Sequence, residues 1–178
     1  MEKYNILLVD DEQNILKALR RLFREEHVNI LTASSASEAL EIFKQQSIQL
    51  IISDNLMPGM TGVELINKVR EISPDTIRII LSGHSDIEAV LNAVNQGEAY
   101  RFILKPWNDI DLRLTINIAL AQYKLIDDNK NLKKDLLEKT RLLDNLKRNH
   151  PEIFNLSSSD GSYNIKEYNI SSSVKEGV

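Results

Sequence analysis

The sequence contains no cysteine, which excludes a disulfide framework and any metal site built on thiolates. This composition fits a reducing compartment, and we expect a cytoplasmic protein. The histidines are also few. His27, His84 and His150 lie far apart in the chain and do not have the spacing of metal ligands. A metal site in this protein would therefore have to use oxygen ligands.

An excess of positive charge is absent as well. The chain has 22 basic and 26 acidic residues and a formal net charge of −4, which gives no electrostatic case for nucleic-acid binding. No apolar run approaches the length of a membrane span. The first run, Ile6–Val9, is also too short for the core of a signal peptide. We expect neither nucleic acid nor a membrane as a partner.

Short apolar runs alternate with helical patterns along the first two thirds of the 178 residues. This alternation predicts an α/β fold with a parallel sheet of five strands. The second run is mixed in polarity, which favours a position nearer an edge of the sheet. The predicted strands are Asn5–Val9, Val28–Ala33, Leu50–Ser53, Ile77–Leu81 and Tyr100–Leu104.

Capping signals mark the ends of several predicted helices. A Ser or Thr followed three residues later by Glu is the pattern of a capping box. It occurs at Ser35 and Glu38, at Thr61 and Glu64, and at Ser85 and Glu88. Gly97 is placed to end the helix that the third box begins.

The last predicted helix is unusually long, because neither Gly nor Pro occurs between Asn108 and Pro151. We divide the chain into a domain of residues 1–122, an extended helix at 123–149 and a polar tail at 150–178, which is either disordered or a small hairpin. An apolar seam runs along the charged extension and favours a coiled coil and a homodimer. The seam consists of Leu125, Leu132, Leu136, Leu143 and Leu146.

Five polar residues stand at the ends of the predicted strands: Asp10, Asp11, Asp54, Ser82 and Lys105. Ligands of parallel sheets bind at the carboxyl ends of the strands, so these side chains are expected to converge. Three carboxylates in one pocket repel each other unless a cation joins them, and Mg²⁺ suits a small site of oxygen ligands. The lysine adds a counter-charge for an incoming anion. This set favours phosphoryl transfer onto a carboxylate.

The chain resembles the CheY-like receiver domain of two-component response regulators over about residues 3–122. Each matching motif is weak alone, but their order and their positions at strand ends are specific. The motifs are Ile6-Leu-Leu-Val-Asp10-Asp11-Glu12, Ile51-Ile-Ser-Asp54-Asn-Leu-Met-Pro58-Gly59-Met-Thr-Gly62, Ile79-Ile-Leu-Ser82-Gly83 and Phe102-Ile-Leu-Lys105-Pro106. The segment Gly97–Trp107 resembles receivers often joined to HD-type phosphodiesterase domains, and no His/Asp cluster of that kind follows residue 122.

The resemblance implies a fold and a metal site. The fold is the flavodoxin-like arrangement with strand order 2-1-3-4-5, for which CheY is a standard example. Asp54 is then the phosphoryl acceptor, with Mg²⁺ as the cofactor. Asp11 and Asp54 bind the ion directly, Leu56 contributes its backbone carbonyl, and Asp10 acts largely through water.

The resemblance also implies a switch. The Lys105–Pro106 peptide bond is expected to be cis, with the ammonium turned inward. The Ser82 hydroxyl turns toward the phosphoryl group, and Phe102 then turns inward, although plain core packing is a strong alternative for this ring. Leu56 and His84 occupy the positions that tune the lifetime of the phosphoryl group.

The implied function is a response regulator in a phosphorelay, which accepts a phosphoryl group from a histidine kinase or a phosphotransfer protein. Such a protein catalyses only its own phosphorylation and dephosphorylation and is not an enzyme with an external substrate. The alternatives are an adaptor or dimerisation module that works without phosphorylation, and a fragment of a longer regulator with a separate output domain. A DNA-binding regulator would need a basic helix-turn-helix, and a hydrolase of the haloacid-dehalogenase type would need Asp-x-Asp after the first strand.

Overall fold

The structure, a computed structural model, describes residues 4–23, 28–83 and 87–151. Its strands are β1 (Tyr4–Val9), β2 (Val28–Ala33), β3 (Leu50–Asp54), β4 (Ile77–Ser82) and β5 (Arg101–Leu104). They form one parallel sheet in the order β2-β1-β3-β4-β5. This confirms the predicted α/β fold, its strand order and the edge position of the second strand.

The helices alternate with the strands, as the sequence pattern predicts. They are α1 (Gln13–Leu22), α2 (Ala36–Gln45), α3 (Gly62–Ile72), α4 (Ile87–Asn95) and α5 (Asp109–Asn149). Within the described ranges, no helix is long and apolar enough to cross a bilayer.

Both faces of the sheet are covered, and β1 illustrates why its sequence is apolar throughout. Ile6 and Leu8 pack in a cluster with buried residues of α1 and α5. Leu7 and Val9 point to the opposite face, because successive side chains of a strand alternate, and they pack with α2 and α3. The central strand β3 is buried at every residue. The strand ends that carry the polar residues are therefore held by a core on each side.

The predicted caps are partly corrected. Thr61 and Glu64 form the expected capping box at the start of α3. Ser35 accepts a hydrogen bond from the Glu38 amide, but the Glu38 carboxylate accepts from the amide and hydroxyl of Ser34, one residue earlier than predicted. The box at Ser85 and Glu88 lies outside the described residues.

The helix α5 begins and ends close to the predicted positions and has 41 residues. Its contacts with the sheet domain continue beyond residue 122. The ring of Tyr123 lies edge-to-face with Tyr4 at a centroid distance of 5.9 Å, and Lys130 forms an ion pair with Asp75.

The chain divides into two compact units, residues 1–131 and 132–178. The boundary thus falls inside α5, between Asn131 and Leu132. The predicted hairpin or disorder in the tail concerns residues 152–178, which lie outside the described part of the chain.

Candidate functional site

The predicted polar residues converge at the carboxyl edge of the sheet. Asp10 follows β1 directly, Asp54 is the last residue of β3, and Ser82 is the last residue of β4. β1 pairs with β3, and β3 pairs with β4 with Asp54 opposite Leu81. Parallel pairing in this register places the three strand ends side by side.

Lys105 connects two of the strand ends. Its ammonium Nζ lies 2.7 Å from Asp54 Oδ1 and 3.0 Å from Asp10 Oδ2. The Lys105 backbone amide donates to the Ser82 carbonyl at 2.8 Å, which extends the β4–β5 pairing to this residue. The Lys105–Pro106 peptide bond is cis, as expected.

The electrostatics of the pocket follow from burial. Asp10 is 0% exposed, and this burial raises its pKa although the Glu12 amide and Lys105 act in the opposite direction. Burial is also the largest influence on Lys105 and lowers its pKa, but the hydrogen bonds to Asp54 and Asp10 outweigh it, and the net pKa is raised. The pocket therefore holds a charged lysine between buried carboxylates.

Asp10, Asp11 and Asp54 form a group that fits a divalent cation. One carboxylate oxygen of each lies within 4.8 Å of the others. Two of the residues are buried and Asp11 is exposed, so the group opens to solvent on one side. Oxygen-only donors and a high local negative charge suit a hard ion such as Mg²⁺.

Asp11 precedes α1 but does not cap it. The N-cap residue is Glu12, which makes no side-chain cap. Asp10 instead accepts a hydrogen bond from the Glu12 amide through Oδ1 at 2.8 Å. The Asp11 carboxylate is therefore not used by the helix.

The loop after β3 carries Leu56, which is 56% exposed. Its backbone amide donates to Asp54 Oδ2 at 3.1 Å, so the loop is held against the carboxylate. His84, the second residue predicted to tune phosphoryl lifetime, lies outside the described residues.

The two predicted switch residues lie on neighbouring strands. Ser82 is fully buried, and its hydroxyl donates to the Gly83 carbonyl at 2.9 Å. Phe102 is half-buried on β5 and packs against the cluster of Ile66, Ile80 and Ala99. Core packing therefore accounts for the present position of this ring.

Residues 6–117 match the family model described as the response regulator receiver domain. The chain belongs to this family. The match covers every residue of the pocket described above.

Similar proteins agree with the receiver assignment. The hydrogenase transcriptional regulatory protein HoxA of Cupriavidus necator is 40% identical over 138 residues, which are 78% of this chain and 28% of HoxA. A response regulator receiver domain protein from Clostridium thermocellum has a TM-score of 0.65 at 35% identity, covering 69% of this chain and 98% of that one. The signal receiver domain of an HD domain-containing protein from Pseudomonas fluorescens Pf-5 has a TM-score of 0.68 at 32% identity, covering 72% and 94%.

The chain spans about 28% of the length of HoxA and 30% of a NtrX-like response regulator from Rickettsia bellii. The similarity therefore concerns the receiver part of these proteins. It gives no information on the activity of the rest of these proteins.

The sequence reasoning missed Asn55, the residue after the predicted phosphoryl acceptor. Asn55 is 3% exposed and makes three hydrogen bonds to β4 and the start of α3. In the sequence, Asn55 is recognisable as a polar residue that directly follows the strand β3. This feature does not predict a buried position, because a polar residue after a strand is also typical of an ordinary exposed loop.

Proposed function

We propose that this receiver accepts a phosphoryl group on Asp54 in an Mg²⁺-dependent reaction and acts as a phosphorylation-controlled interaction switch. The donor is the phosphohistidine of a histidine kinase or a phosphotransfer protein. The observation that carries the proposal is the position of Asp54 between a lysine ammonium at 2.7 Å and the two carboxylates of Asp10 and Asp11.

Each part of the pocket has a chemical role in this proposal. The Asp54 carboxylate attacks the phosphorus, and a new O–P bond forms as the bond to the donor breaks. Asp11, Asp54 and the Leu56 carbonyl would hold Mg²⁺ directly and Asp10 largely through water, and the bound ion would offset the negative charge of the phosphoryl oxygens. The Lys105 ammonium, which lies 2.7 Å from Asp54 Oδ1, supplies a second positive charge for the phosphoryl oxygens.

The same pocket argues for phosphorylation over an adaptor that works without it. An adaptor needs the fold and a binding surface, but it does not need a group of carboxylates that repel each other. The names of relatives such as HoxA describe transcriptional regulators of which the match covers less than a third, so regulation of DNA is not part of this proposal.

Substituting Asp54 with Asn is expected to abolish phosphorylation, because the amide removes the nucleophilic oxygen while keeping the size of the side chain. The wild-type protein and the variant are incubated with acetyl phosphate and Mg²⁺, and the intact mass is measured. The matched control is Asp75→Asn, which changes a carboxylate outside the pocket and should leave the phosphoryl adduct in place. An adduct that persists in Asp54→Asn would assign the acceptor to another residue.

Phosphorylation is expected to move Ser82, Lys105 and Phe102 together. The phosphoryl oxygens offer stronger acceptors than the Gly83 carbonyl that Ser82 now uses, and the space the hydroxyl vacates admits the Phe102 ring. Beryllofluoride with Mg²⁺ mimics the phosphoryl group, and amide NMR shifts are compared with and without it. The control is Ser82→Ala, which lacks the hydroxyl and should confine the shifts to the pocket. Shifts in the wild-type protein that stay near Asp54 and leave β5 unchanged would contradict the coupling.

We further propose that the extension of α5 pairs with the same helix of a second copy. The leucines of the predicted seam, from Leu125 to Leu146, are exposed. Exposed leucines at heptad spacing are typical of coiled-coil positions that a partner helix covers. Such pairing would give the switch an output, because Lys105, which we expect to move on phosphorylation, lies four residues before the start of the same helix.

A further inference from the structure

The two ends of the loop between β3 and α3 are joined by Asn55. This residue directly follows β3 and accepts hydrogen bonds from the first residues of α3. The Asn55 backbone amide donates to the Leu81 carbonyl at 2.9 Å and fixes the residue to β4. Its backbone carbonyl accepts from the Gly62 amide at 2.9 Å. Its side-chain Oδ1 accepts from the Val63 amide at 3.3 Å. The hydrogen bonds of one buried residue thus hold the start and the end of the loop together.

These bonds account for the first amides of α3. The first amides of a helix have no partner within the helix. Asn55 accepts from the Gly62 amide through its carbonyl and from the Val63 amide through Oδ1. The Thr61 hydroxyl accepts from the Glu64 amide at 3.2 Å. The Asn55 side chain therefore takes part in capping a helix although it lies seven positions before the helix starts.

The closure is tight, as the geometry of Gly62 shows. A Cβ added to Gly62 would lie 2.2 Å from the Asp54 carbonyl oxygen and 2.9 Å from the Asn55 Cα. The start of α3 thus lies against the backbone of the phosphoryl acceptor itself. A shift of the helix start would therefore displace the backbone of Asp54. It would also displace Leu56, whose amide donates to the Asp54 carboxylate.

We propose that Asn55 is a positioning residue for the cation site, which it serves by holding the loop that carries the Leu56 carbonyl beside Asp54. The inference rests on the proposed function, because it assigns the loop a role in binding Mg²⁺. Residues that orient metal ligands through hydrogen bonds typically contribute a factor of 10 to 100 in affinity. The long Val63 bond places Asn55 near the lower end of that range.

The test compares Asn55→Leu with Thr76→Val. Leucine has a similar size but accepts no hydrogen bond. Thr76 is also buried, and its hydroxyl donates to the Ile48 carbonyl at 2.7 Å at the opposite end of the sheet. The Thr76 hydroxyl also donates to Ser73 Oγ at 2.8 Å. Thr76→Val therefore removes hydrogen bonds away from the loop, whereas Asn55→Leu removes the acceptor for the Val63 amide, which belongs to the loop. Mg²⁺ affinity is measured by titration of the amide NMR shifts of the full chain.

We expect Asn55→Leu to weaken Mg²⁺ binding about tenfold and Thr76→Val to leave it unchanged. In the metal-free protein, amide exchange at Gly62 and Val63 should accelerate in Asn55→Leu beyond the acceleration in Thr76→Val. The Mg²⁺ concentration for half-maximal phosphorylation should rise by the same factor as the affinity falls, and saturating Mg²⁺ should restore most of the rate.

The failure of this inference can be told from a failure of the proposed function. A wild-type protein that neither binds Mg²⁺ nor takes up a phosphoryl group would overturn both. A functional wild-type protein in which the two variants have equal Mg²⁺ affinity and equal exchange would overturn only the role of Asn55. If Asn55→Leu does not fold, Asn55→Ala, which removes the same acceptor without a branched side chain, takes its place in the comparison.

Discussion

Substituting Lys105 with Met is expected to lower the free energy of unfolding by about 3 kcal/mol in the absence of divalent cations, because it leaves buried carboxylates without a counter-charge. Lys105 Nζ lies 2.7 Å from Asp54 and 3.0 Å from Asp10, which is fully buried. Methionine keeps the length of the apolar stem, so the loss reports the missing charge. Urea unfolding in the presence of a chelator measures it.

Mg²⁺ is expected to restore more stability to Lys105→Met than to the wild-type protein. In the wild-type protein the ammonium already neutralises part of the charge that the ion would bind, whereas in the variant this ammonium is absent and the ion would take over its role. A ligand that binds only the folded state stabilises it by RT ln(1 + [L]/Kd), so tighter binding at a given concentration gives more stabilisation. The same unfolding experiment is therefore repeated over a series of Mg²⁺ concentrations.

The control for this prediction is Lys44→Met. Lys44 pairs with Glu41 at 2.6 Å, but both side chains are exposed, and such surface pairs contribute about 0–1 kcal/mol. This variant should lose little stability and gain nothing further from Mg²⁺. Equal losses in the two variants would show that the pocket lysine is not the counter-charge of the buried carboxylates.

The burial of Asp10 makes the free energy of unfolding depend on pH. Burial raises the pKa of Asp10 above its ordinary 3.8, so the folded protein binds this proton more tightly than the unfolded chain does. The contribution of Asp10 therefore favours folding at low pH and declines as pH rises from about 3.8 through the folded-state pKa. The stability difference between Lys105→Met and the wild-type protein should accordingly shrink in acid, where Asp10 is protonated in both.

The residues that carry charge at the strand ends could be predicted from the sequence because two simple rules coincide there. Apolar runs of four to six residues fix the strands, and parallel strands place their carboxyl ends on one edge. Asp10, Asp54 and Lys105 follow from that reasoning, and the structure brings them within hydrogen-bond distance. The extent of the sheet domain is less accessible, since the contacts of Tyr123 and Lys130 depend on how α5 packs against distant residues.

Side-chain hydrogen bonds were the least predictable feature. Ser34 and Ser35 are adjacent and chemically equivalent, and only the backbone conformation decides which one the Glu38 carboxylate reaches. Asn55 was missed for a related reason. Its partners Leu81 and Val63 are separated from it in sequence, and they become neighbours only when β3, β4 and α3 are in place.

The α5 extension should make the protein a dimer, and one substitution on its seam should dissociate it. The heptad assignment places Leu125, Leu132 and Leu146 at d positions and Leu136 and Leu143 at a positions. Asn129 also falls at an a position, where a buried Asn fixes register at some cost in stability. Lys139 at d and Gln122 at a interrupt the seam, so we expect a weak coiled coil that gains from additional contacts between the receivers.

Leu136→Lys is expected to weaken the dimer by a factor of about 1,000. Burial of one Leu side chain contributes about 2 kcal/mol, and the two copies together lose about 4 kcal/mol. The matched control is Leu137→Lys, one residue later at a b position outside the seam. The two leucines are 67% and 54% exposed, so the substitutions differ mainly in the side of the helix that they change.

The outcomes are distinguished by sedimentation of the 178-residue chain and its two variants. Each protein is measured with and without beryllofluoride and Mg²⁺. Point substitutions are preferable to truncation at Tyr123, because Ile126 and Lys130 contact the receiver and their removal would change its stability. A dimer in the wild-type protein and in Leu137→Lys but not in Leu136→Lys assigns the interface to the seam. If beryllofluoride strengthens that dimer, phosphorylation of Asp54 controls the association. A wild-type protein that stays monomeric at high concentration, both with and without beryllofluoride, would exclude the coiled coil. The exposed leucines of the seam would then have no partner helix.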